Sequence, residues 1–387
     1  MYKLYLKKNE EKRIVDGHPW IFANEVQKID GDGLQGSIAE VYSFDKRFIG
    51  RGYINHQSKI IVRLLTYKNE EINSSFFEDK INEAWKLRQD LGFFDNCRVV
   101  FSESDALPGL IVDKYGKYLC VQFLTLGMDI RRDEIAGILN NIFKPLGIYE
   151  RSDVSVRLKE GLQEVKGFIG KPFDTKVKIK ENDIDIIVDL ENGQKTGYFL
   201  DQKENRAAVL RYVKDKTVLD CFCNIGGFSL NAAKKAKNVI AVDISKTALD
   251  VLKENAKINA FTNIQTECSD VFDLLRKYRK DEKTFDVVIL DPPAFTKTSD
   301  KVNDALKGYK DINLNALKII NRNGYLITCS CSQHISSSQF INMITSAANN
   351  ASRKVCLLEF RGQSPDHPVL LNLSESSYLK CAILRVE

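Results

Sequence analysis

The sequence lacks any long apolar segment. A membrane-spanning helix needs about 20 consecutive apolar residues, and no stretch here comes close to that length without charged or polar side chains. The N-terminal stretch MYKLYLKKNEEKR is charged throughout, so it has no apolar core of the kind that a signal peptide requires. We therefore expect a cytoplasmic protein with no membrane partner.

Histidine is also scarce, and the cysteine spacing is not that of a zinc site. The chain has four histidines and nine cysteines, most of the latter inside apolar runs, which is typical of reduced thiols in a cytosolic protein. The C-x-C pairs at 221–223 and 329–331 lack the C-x-x-C spacing of zinc knuckles and have no histidine pair nearby. We expect no metal site.

Charge of one sign is only slightly in excess. Lysine and arginine number 57 against 52 acidic residues, and the net charge of +5 permits a nucleic-acid partner without indicating one. At 387 residues, 43% of them hydrophobic, the chain is long enough for two or three domains with cores of their own. Oligomeric state does not follow from these values, and a homodimer is one open alternative.

Three stretches differ in their apolar pattern. Residues 1–72 contain short alternating runs separated by glycine-rich turns, which predicts a small β-barrel-like domain. Residues 73–174 mix helical and strand-like patterns and contain no catalytic motif, which predicts a central α+β domain. In residues 175–387, strands alternate with helices, the pattern of a doubly wound α/β sheet.

Residues 217–243 are the most informative stretch. An apolar run ends in Asp220, a loop with Gly226 and Gly227 follows, and a helical pattern leads to a second apolar run that ends in Asp243. This order predicts one parallel βαβ unit with a right-handed crossover. The glycines let the backbone pass close to a ligand, and Asp243 is placed to hold a ribose hydroxyl pair.

The loop sequence argues against a dinucleotide. A nicotinamide fingerprint reads G-x-G-x-x-G, whereas this loop reads D-C-F-C-N-I-G-G-F. An acidic residue at the first strand's tip repels a phosphate but suits the ammonium group of a methionine moiety. The stretch therefore predicts an S-adenosyl-L-methionine (SAM) site, with an ordinary βα turn in another α/β protein as the alternative.

Further polar residues fall at predicted element ends. Asp270 follows the third strand of this domain, where it is placed either to reach an adenine amino group or only to cap the next helix. The segment 195–206, which includes Phe199, Asp201 and Arg206, precedes a helix and is predicted to face the cofactor loop. A helix cap at Asp201 is the alternative reading.

Two more strand tips suggest the chemistry. The run FDVVIL ends in Asp291-Pro292-Pro293, whose prolines would stiffen a loop over the substrate. Methyl transfer to an exocyclic amine of a base needs an aromatic residue directly after the second proline, but here Ala294 stands before Phe295. The match to that chemistry is imperfect.

Methyl transfer to carbon 5 of a pyrimidine instead needs a thiolate, because this carbon is not nucleophilic until a thiolate adds to carbon 6. Cys331, in a polar S-C-S at the end of the next apolar strand, is predicted to be that nucleophile. Asp291 is predicted to hydrogen-bond the base and ease the build-up of charge. The alternative for Cys331 is a small buried hydrophobe.

Taken together, these motifs resemble one known family. The chain is similar to the PUA-domain-bearing class of RNA 5-methylcytosine methyltransferases, the ribosomal RNA large subunit methyltransferase I family, over nearly its whole length. The resemblance rests on G-H-P-W-I-F (17–22), E-S-D-A-L-P-G-L-I-V-D (103–113), K-T-G-Y-F-L-D-Q-K-E-N-R (195–206), D-C-F-C-N-I-G-G-F-S (220–229), D-P-P-A-F (291–295), S-C-S (330–332), D-H-P-V (366–369) and Y-L-K (378–380).

The resemblance implies a PUA domain for RNA contact, a central α+β domain and a Rossmann-like SAM-dependent catalytic domain. It implies Cys331 as the nucleophile and, with Ala294 after the prolines, the group of enzymes that has one cysteine. The predicted cofactor contacts are Asp220, Asn224, Gly226, Gly227, Asp243, Asp270, Phe199, Asp201 and Arg206, and the predicted substrate contacts are Pro292, Pro293 and Phe295.

The predicted function is formation of 5-methylcytosine in large-subunit ribosomal RNA. One alternative is methylation of guanine or of an amino group through the Asp-Pro-Pro loop, with Cys331 as a bystander. Another is an RNA-binding module whose SAM site is inactive. Cys331 itself favours cytosine, because the guanine-modifying relatives lack the cysteine of the S-C-S motif.

Overall fold

The computed structural model describes residues 1–296 and 298–387, and their backbone forms two compact units. The segments of the first unit are Met1–Ile179, Val188–Leu200 and Pro365–Ser376. Those of the second unit are Lys180–Ile187, Asp201–Ser364 and Ser377–Glu387. The predicted domain borders, at 72/73 and 174/175, both fall within the first unit and stay a prediction.

The first unit begins with a six-stranded sheet in the order β2-β6-β5-β4-β1-β3. Its pairs are antiparallel except β1 with β4. Buried aliphatic residues such as Leu4, Val41 and Val62 form its core. The elements are β1 Tyr2–Leu6, α1 Lys12–Val15, β2 Trp20–Phe22, β3 Val26–Asp30, β4 Ile38–Tyr42, β5 Phe48–Ile54 and β6 Ile60–Thr66.

A five-stranded sheet in the order β11-β10-β9-β8-β7 follows in the same unit. The Asn73 side chain accepts the Phe76 N–H and so caps the helix that begins at Ser74. The elements are α2 Ser74–Asp90, β7 Cys97–Phe101, β8 Leu110–Tyr115, β9 Tyr118–Phe123, α3 Leu126–Asp129, α4 Arg132–Phe143, β10 Gly147–Ser152 and β11 Val165–Ile169. A two-stranded sheet of β12 Lys176–Glu181 and β13 Ile184–Asp189 comes next in the chain.

The second unit is built on a seven-stranded sheet in the order β16-β15-β14-β17-β18-β20-β19. Strands β14 to β18 are parallel, and β20 runs antiparallel to both of its neighbours. The elements are α5 Lys203–Val209, β14 Thr217–Cys221, α6 Gly227–Ala233, β15 Asn238–Asp243, α7 Lys246–Ile258, β16 Ile264–Cys268, α8 Val271–Lys280, β17 Phe285–Leu290, α9 Val302–Ile319, β18 Ile320–Ser330, α10 Ser337–Ala351, β19 Val355–Arg361 and β20 Lys380–Val386.

The central strands of this sheet are apolar on both faces. Val287, Val288 and Ile289 in β17 are all fully buried, as expected of a parallel sheet with helices on both sides. From β14 the sheet grows one way through β15 and the other way through β17, so the carboxyl ends of β14 and β17 flank the switch point where such sheets bind ligands. The predicted fold class is confirmed, and among the described residues no helix is long and apolar enough to cross a membrane.

Packing in the first unit can be tested at two glycines. A Cβ added at Gly127 in α3 would lie 2.0 Å from Cγ of the buried Tyr53 ring, whereas one added at Gly137 in α4 would meet nothing within 4 Å. We expect Gly127→Ala to lower the free energy of unfolding by about 1–3 kcal/mol and Gly137→Ala to raise it by about 0.5–1 kcal/mol. Urea denaturation followed by circular dichroism measures both, and equal midpoints for the two variants would contradict this packing.

Candidate active site

The second unit places three strand tips side by side. Leu290 at the end of β17 pairs with Cys221 in β14 and with Thr328 in β18. The next residue, Asp291, donates its backbone N–H to the Cys221 carbonyl at 3.4 Å. The Cys331 Sγ lies 3.9 Å from the carbonyl oxygen of Pro292. The structure therefore brings the Asp-Pro-Pro loop and the S-C-S tip together at one edge of the sheet.

Asp220 is fully buried in β14 next to this edge. Its Oδ2 accepts the Ser229 hydroxyl at 2.5 Å, while its Oδ1 has no hydrogen-bond partner among the described residues. Burial raises the pKa of Asp220 to about 7; the Ser229 hydroxyl opposes this rise and the negative charge of Asp291 adds to it. A buried carboxylate oxygen without a partner fits a site that receives a cationic group, such as the ammonium of SAM.

The loop after β14 is closed by Asp243 at the tip of β15. Its Oδ2 accepts the Asn224 N–H and its Oδ1 the Ser245 N–H, both at 2.9 Å. Gly226 has a φ of +91°, and a Cβ there would lie 2.6 Å from Cγ of Leu252, so this turn requires glycine. Gly227 begins α6. The predicted cofactor residues of this loop thus lie together, as a SAM-binding βα turn requires.

Asp270 comes just after β16, the neighbour of β15. Its Oδ1 accepts the N–H groups of Phe272 and Asp273, at 2.8 and 3.2 Å, and so caps α8. The capping alternative is therefore what the geometry displays, and the contact with adenine stays a prediction.

The segment 195–206 is divided between the two units. Phe199 belongs to the first unit, where the Lys195 ammonium lies 4.6 Å from its ring centroid, and its cofactor contact stays a prediction. In the second unit, the Asp201 Oδ2 accepts the Tyr378 hydroxyl at 2.6 Å. That this segment faces the cofactor loop stays a prediction.

Arg206 forms a buried ion pair with Glu181. Two of its nitrogens donate to the two carboxylate oxygens at 2.6 Å each, and both side chains are almost fully buried. A bidentate pair of this kind joins α5 to the end of β12 and directs the guanidinium to protein. The geometry gives Arg206 a structural role, and its predicted cofactor contact stays a prediction.

Three residues are predicted to contact the substrate. Pro292 is buried and Pro293 is exposed at the tip of the loop. Phe295 is half-buried, and its ring packs at a tilt against those of Tyr309 and Phe272, with centroids 4.5 and 5.8 Å away. Phe295 therefore packs on protein rings, and its contact with a base stays a prediction.

The position of Cys331 distinguishes it from the buried cysteines of the second unit. Burial raises the pKa values of the Cys221 and Cys223 thiols well above the usual range. Contact with Cys381, together with burial, does the same for Cys329. These thiols stay protonated near neutral pH and so are poor nucleophiles. Cys331 is only half-buried and lies at the strand tip.

Known proteins match the chain along its whole length. A family model described as a PUA-like domain matches residues 4–67, and one described as a methyltransferase domain matches residues 213–371. Ribosomal RNA large subunit methyltransferase I of Aliivibrio fischeri strain MJ11 is 42% identical over 391 residues, which cover 99% of this chain and 99% of the relative. The chain belongs to this methyltransferase family.

Solved structures agree with the family. A SAM-dependent methyltransferase from Streptococcus mutans matches over 100% of both chains, with a TM-score of 0.84 and 25% identity. A methyltransferase solved in complex with SAH matches over 100% of both chains, with a TM-score of 0.85 and 24% identity, and shares the fold. The predicted resemblance is confirmed, and SAM is confirmed as the cofactor.

Pattern analysis missed a residue that contacts Asp291. The Gln202 Nε2 donates to Asp291 Oδ1 at 2.8 Å, and the Gln202 Oε1 accepts from Asn205 Nδ2 at 2.7 Å. Asn205 in turn donates to the carbonyl of Gly362 at 3.0 Å. This chain of hydrogen bonds orients the Asp291 carboxylate at the tip of β17. Both residues lie in the motif K-T-G-Y-F-L-D-Q-K-E-N-R, so the signal was present, but the sequence does not show their partner.

The raised pKa of Asp220 leads to a pH-dependent prediction. Its folded-state pKa of about 7 lies above the ordinary value of about 3.9, so the folded chain binds this proton more tightly than the unfolded chain does. Asp220 therefore lowers stability increasingly as the pH rises from about 4 to about 7. We expect Asp220→Asn to raise the free energy of unfolding at pH 8 by a few kcal/mol, with no difference near pH 4.

The same substitution removes the charge that would meet the SAM ammonium, so we expect at least about tenfold weaker SAM binding. Urea denaturation across the pH range measures the stability, and calorimetric titration measures the affinity. Asp250→Asn, on an exposed face of α7, is the matched control. Equal pH profiles for wild type and Asp220→Asn would contradict the raised pKa.

The role of Arg206 can be separated from cofactor binding. Arg206→Met leaves the buried Glu181 carboxylate without its partner, so we expect the free energy of unfolding to fall by about 3–5 kcal/mol. The double variant Arg206→Met/Glu181→Leu removes both charges and should recover most of this loss, with SAM affinity near that of wild type. Urea denaturation and SAM titration test this. Wild-type stability with weak SAM binding in Arg206→Met would restore the cofactor role.

Proposed function

We propose that this chain forms 5-methylcytosine in large-subunit ribosomal RNA, with SAM as methyl donor and Cys331 as nucleophile. The observation that carries the proposal is the 3.9 Å contact between the Cys331 Sγ and the Pro292 carbonyl, at the edge shared with Asp291 and the cofactor loop. The Aliivibrio fischeri relative is named for large-subunit ribosomal RNA, and we extend that substrate to this chain.

The proposed reaction starts at the Cys331 thiolate. It adds to carbon 6 of cytosine, and the electron pair of the ring double bond moves to carbon 5, which becomes nucleophilic. Bound SAM supplies an electrophilic methyl group. After carbon 5 is methylated, a base removes its proton, the ring double bond re-forms and the Cys331 sulfur leaves as thiolate. The cysteine is regenerated, so one thiol is sufficient.

Asp291 would orient the cytosine and stabilise the charge that thiolate addition places on the ring. Its carboxylate can accept from the exocyclic amine, and its protonated form can donate to ring N3. The hydrogen bond from Gln202, 2.8 Å long, holds the carboxylate in one orientation for this task. The target base has to leave its helix or lie in a loop to reach a strand tip.

The cofactor would lie across the tips of β14 and β15. We assign contact with the methionine ammonium to Asp220 and contact with the ribose to Asp243. Asn224, Gly226 and Gly227 form the turn beside the cofactor. Support comes from the buried Oδ1 of Asp220, which has no hydrogen-bond partner in the part of the chain that the structure describes, and from the hydrogen bond that closes the loop onto Asp243. We also assign Asp270 to adenine and Phe199 and Asp201 to the cofactor; the hydrogen bonds described for Asp270 and Asp201 are to protein groups.

The substrate loop and the N-terminal domain complete the proposal. Pro292 and Pro293 would stiffen the loop beside the base, and Phe295 would hold this loop in place through its ring contact with Tyr309. RNA contact is assigned to the PUA-like domain at residues 4–67. Its Trp20 donates the indole N–H to Glu103 at 2.8 Å, which favours packing over base stacking for this aromatic residue.

Separate substitutions of Cys331 and Cys329 test the proposed reaction. We expect wild-type protein, incubated with methyl-labelled SAM and unmodified ribosomal RNA, to give labelled 5-methylcytidine after digestion to nucleosides. Cys331→Ala should lower this product at least about 10³-fold, because carbon 5 is not nucleophilic without the adduct. Cys329→Ala, two residues earlier and buried, should retain it.

Other products would identify a different reaction. Label in guanosine or adenosine that survives in Cys331→Ala would overturn the cysteine mechanism and leave the Asp-Pro-Pro loop as the working site. Absence of SAM binding by the wild type in solution would favour an RNA-binding module with an inactive site.

A further inference from the structure

Lys380 is a buried lysine beside the proposed nucleophile. It begins β20, and the antiparallel register pairs it with Ser330, the residue before Cys331. Its side chain is buried, with the whole residue 4% exposed. Lysine is rarely this buried unless it is paired, so its surroundings need a reason.

The Lys380 ammonium donates to three backbone carbonyls. Its Nζ lies 2.8 Å from the Ser332 oxygen, 2.8 Å from the Ile335 oxygen and 2.9 Å from the Tyr378 oxygen. Three acceptors use all three N–H groups of an ammonium. Ser332 and Ile335 are the first and fourth residues after Cys331, so one buried cation ties down the turn that follows the cysteine.

The carbonyl groups satisfy hydrogen bonds but do not neutralise the charge. Among the residues that the structure describes, no carboxylate forms an ion pair with Lys380. Burial lowers the pKa of Lys380 to about 8, and the negative charge of the Cys331 thiolate acts in the opposite direction. Electrostatic coupling is mutual, so an ammonium that is stabilised by the thiolate stabilises that thiolate in return.

Other titratable groups face the same turn. From α9, the Tyr309 hydroxyl lies 3.0 Å from the Ser332 Oγ, and burial raises its pKa to about 12, so it is neutral at physiological pH. From the loop after β17 comes Asp291, whose carboxylate is held by Gln202. His334 lies in the turn itself and its side chain is exposed, whereas the Lys380 ammonium is buried against it.

We propose that Lys380 is a positioning residue for the nucleophile: its ammonium fixes the turn that carries Cys331 and stabilises the thiolate form of this cysteine. The inference rests on the proposed function and deepens it. A thiolate rather than a thiol attacks carbon 6, and a nearby ammonium increases the fraction of thiolate near neutral pH.

Alkylation of Cys331 tests this without RNA or SAM. Full-length wild type, Lys380→Met and Lys380→Arg would be treated with iodoacetamide from about pH 6 to pH 10, and the modified Cys331 peptide quantified by mass spectrometry. We expect Lys380→Met to move the pH midpoint of Cys331 alkylation upward by about one pH unit, which slows the reaction about tenfold at pH 7.5. Lys380→Arg keeps the charge and should stay closer to wild type.

The same digests contain their own controls. Cys268 and Cys356 are exposed, and their alkylation profiles should not change in any variant. Lys253→Met, on the exposed face of α7, should leave the Cys331 profile as in wild type. An unchanged Cys331 midpoint in Lys380→Met would overturn the proposal. Faster alkylation of Cys331 together with the buried cysteines in Lys380→Met would also overturn the proposal, because that is the result of a loosened fold.

A reciprocal measurement covers the case in which Lys380→Met does not fold. With 13C-labelled lysine Cε, Lys380 should titrate near pH 8 in wild type and at a lower pH in Cys331→Ala, because the thiolate that favours the ammonium is gone. An identical titration in both proteins would refute the coupling. Persistence of 5-methylcytidine in Cys331→Ala would instead refute the proposed function, and leave the alkylation result standing on its own.

Discussion

The register of three parallel strands is the constraint on which the site depends. Backbone hydrogen bonds place Leu290 of β17 beside Cys221 on one side and Thr328 on the other. The residues that follow must leave the sheet at the same edge, and a slip of one residue would turn every side chain of the slipped strand to the opposite face. The sheet also holds two acidic groups close together: burial is the main cause of the raised pKa of Asp220, and the negative charge of Asp291 raises it further. Register, and not mutual attraction, assembles these groups.

Two buried ionisable groups on this edge are shifted toward their neutral forms. Burial raises the pKa of Asp220 and lowers that of Lys380. Neither arrangement favours stability, since an ionised group with no counter-charge is costly to bury. In the proposed complex with cofactor, each group lies near a group of opposite charge: Asp220 near the ammonium of SAM, and Lys380 near the thiolate of Cys331. Stability given up at such positions is typical of sites prepared for ligands.

Local patterns predicted the strand tips, because an apolar run and its terminal residues are adjacent in the chain. The turn from Asp220 to Gly227 and the tips at Asp291 and Cys331 were all located in this way. Contacts between distant segments were not predictable. Lys380 reaches Ser332 only because β20 pairs antiparallel with β18, and Gln202 reaches Asp291 only through tertiary packing. The assignment of 365–376 to the first unit likewise has no local signal.

The motif that spans 195–206 shows why position in a motif does not define a role. Gln202 and Asn205 are three residues apart at the start of α5, so they share a face of the helix and together form the relay to Asp291. Arg206, one residue later, points about 100° further round the helix and pairs with Glu181. One face of this helical turn therefore orients the Asp291 carboxylate, and another face forms the ion pair with Glu181 of β12. The pair with Glu181 anchors the helix that begins beside Gln202, so the orientation of Asp291 depends on an ion pair that lies on another face of that helix.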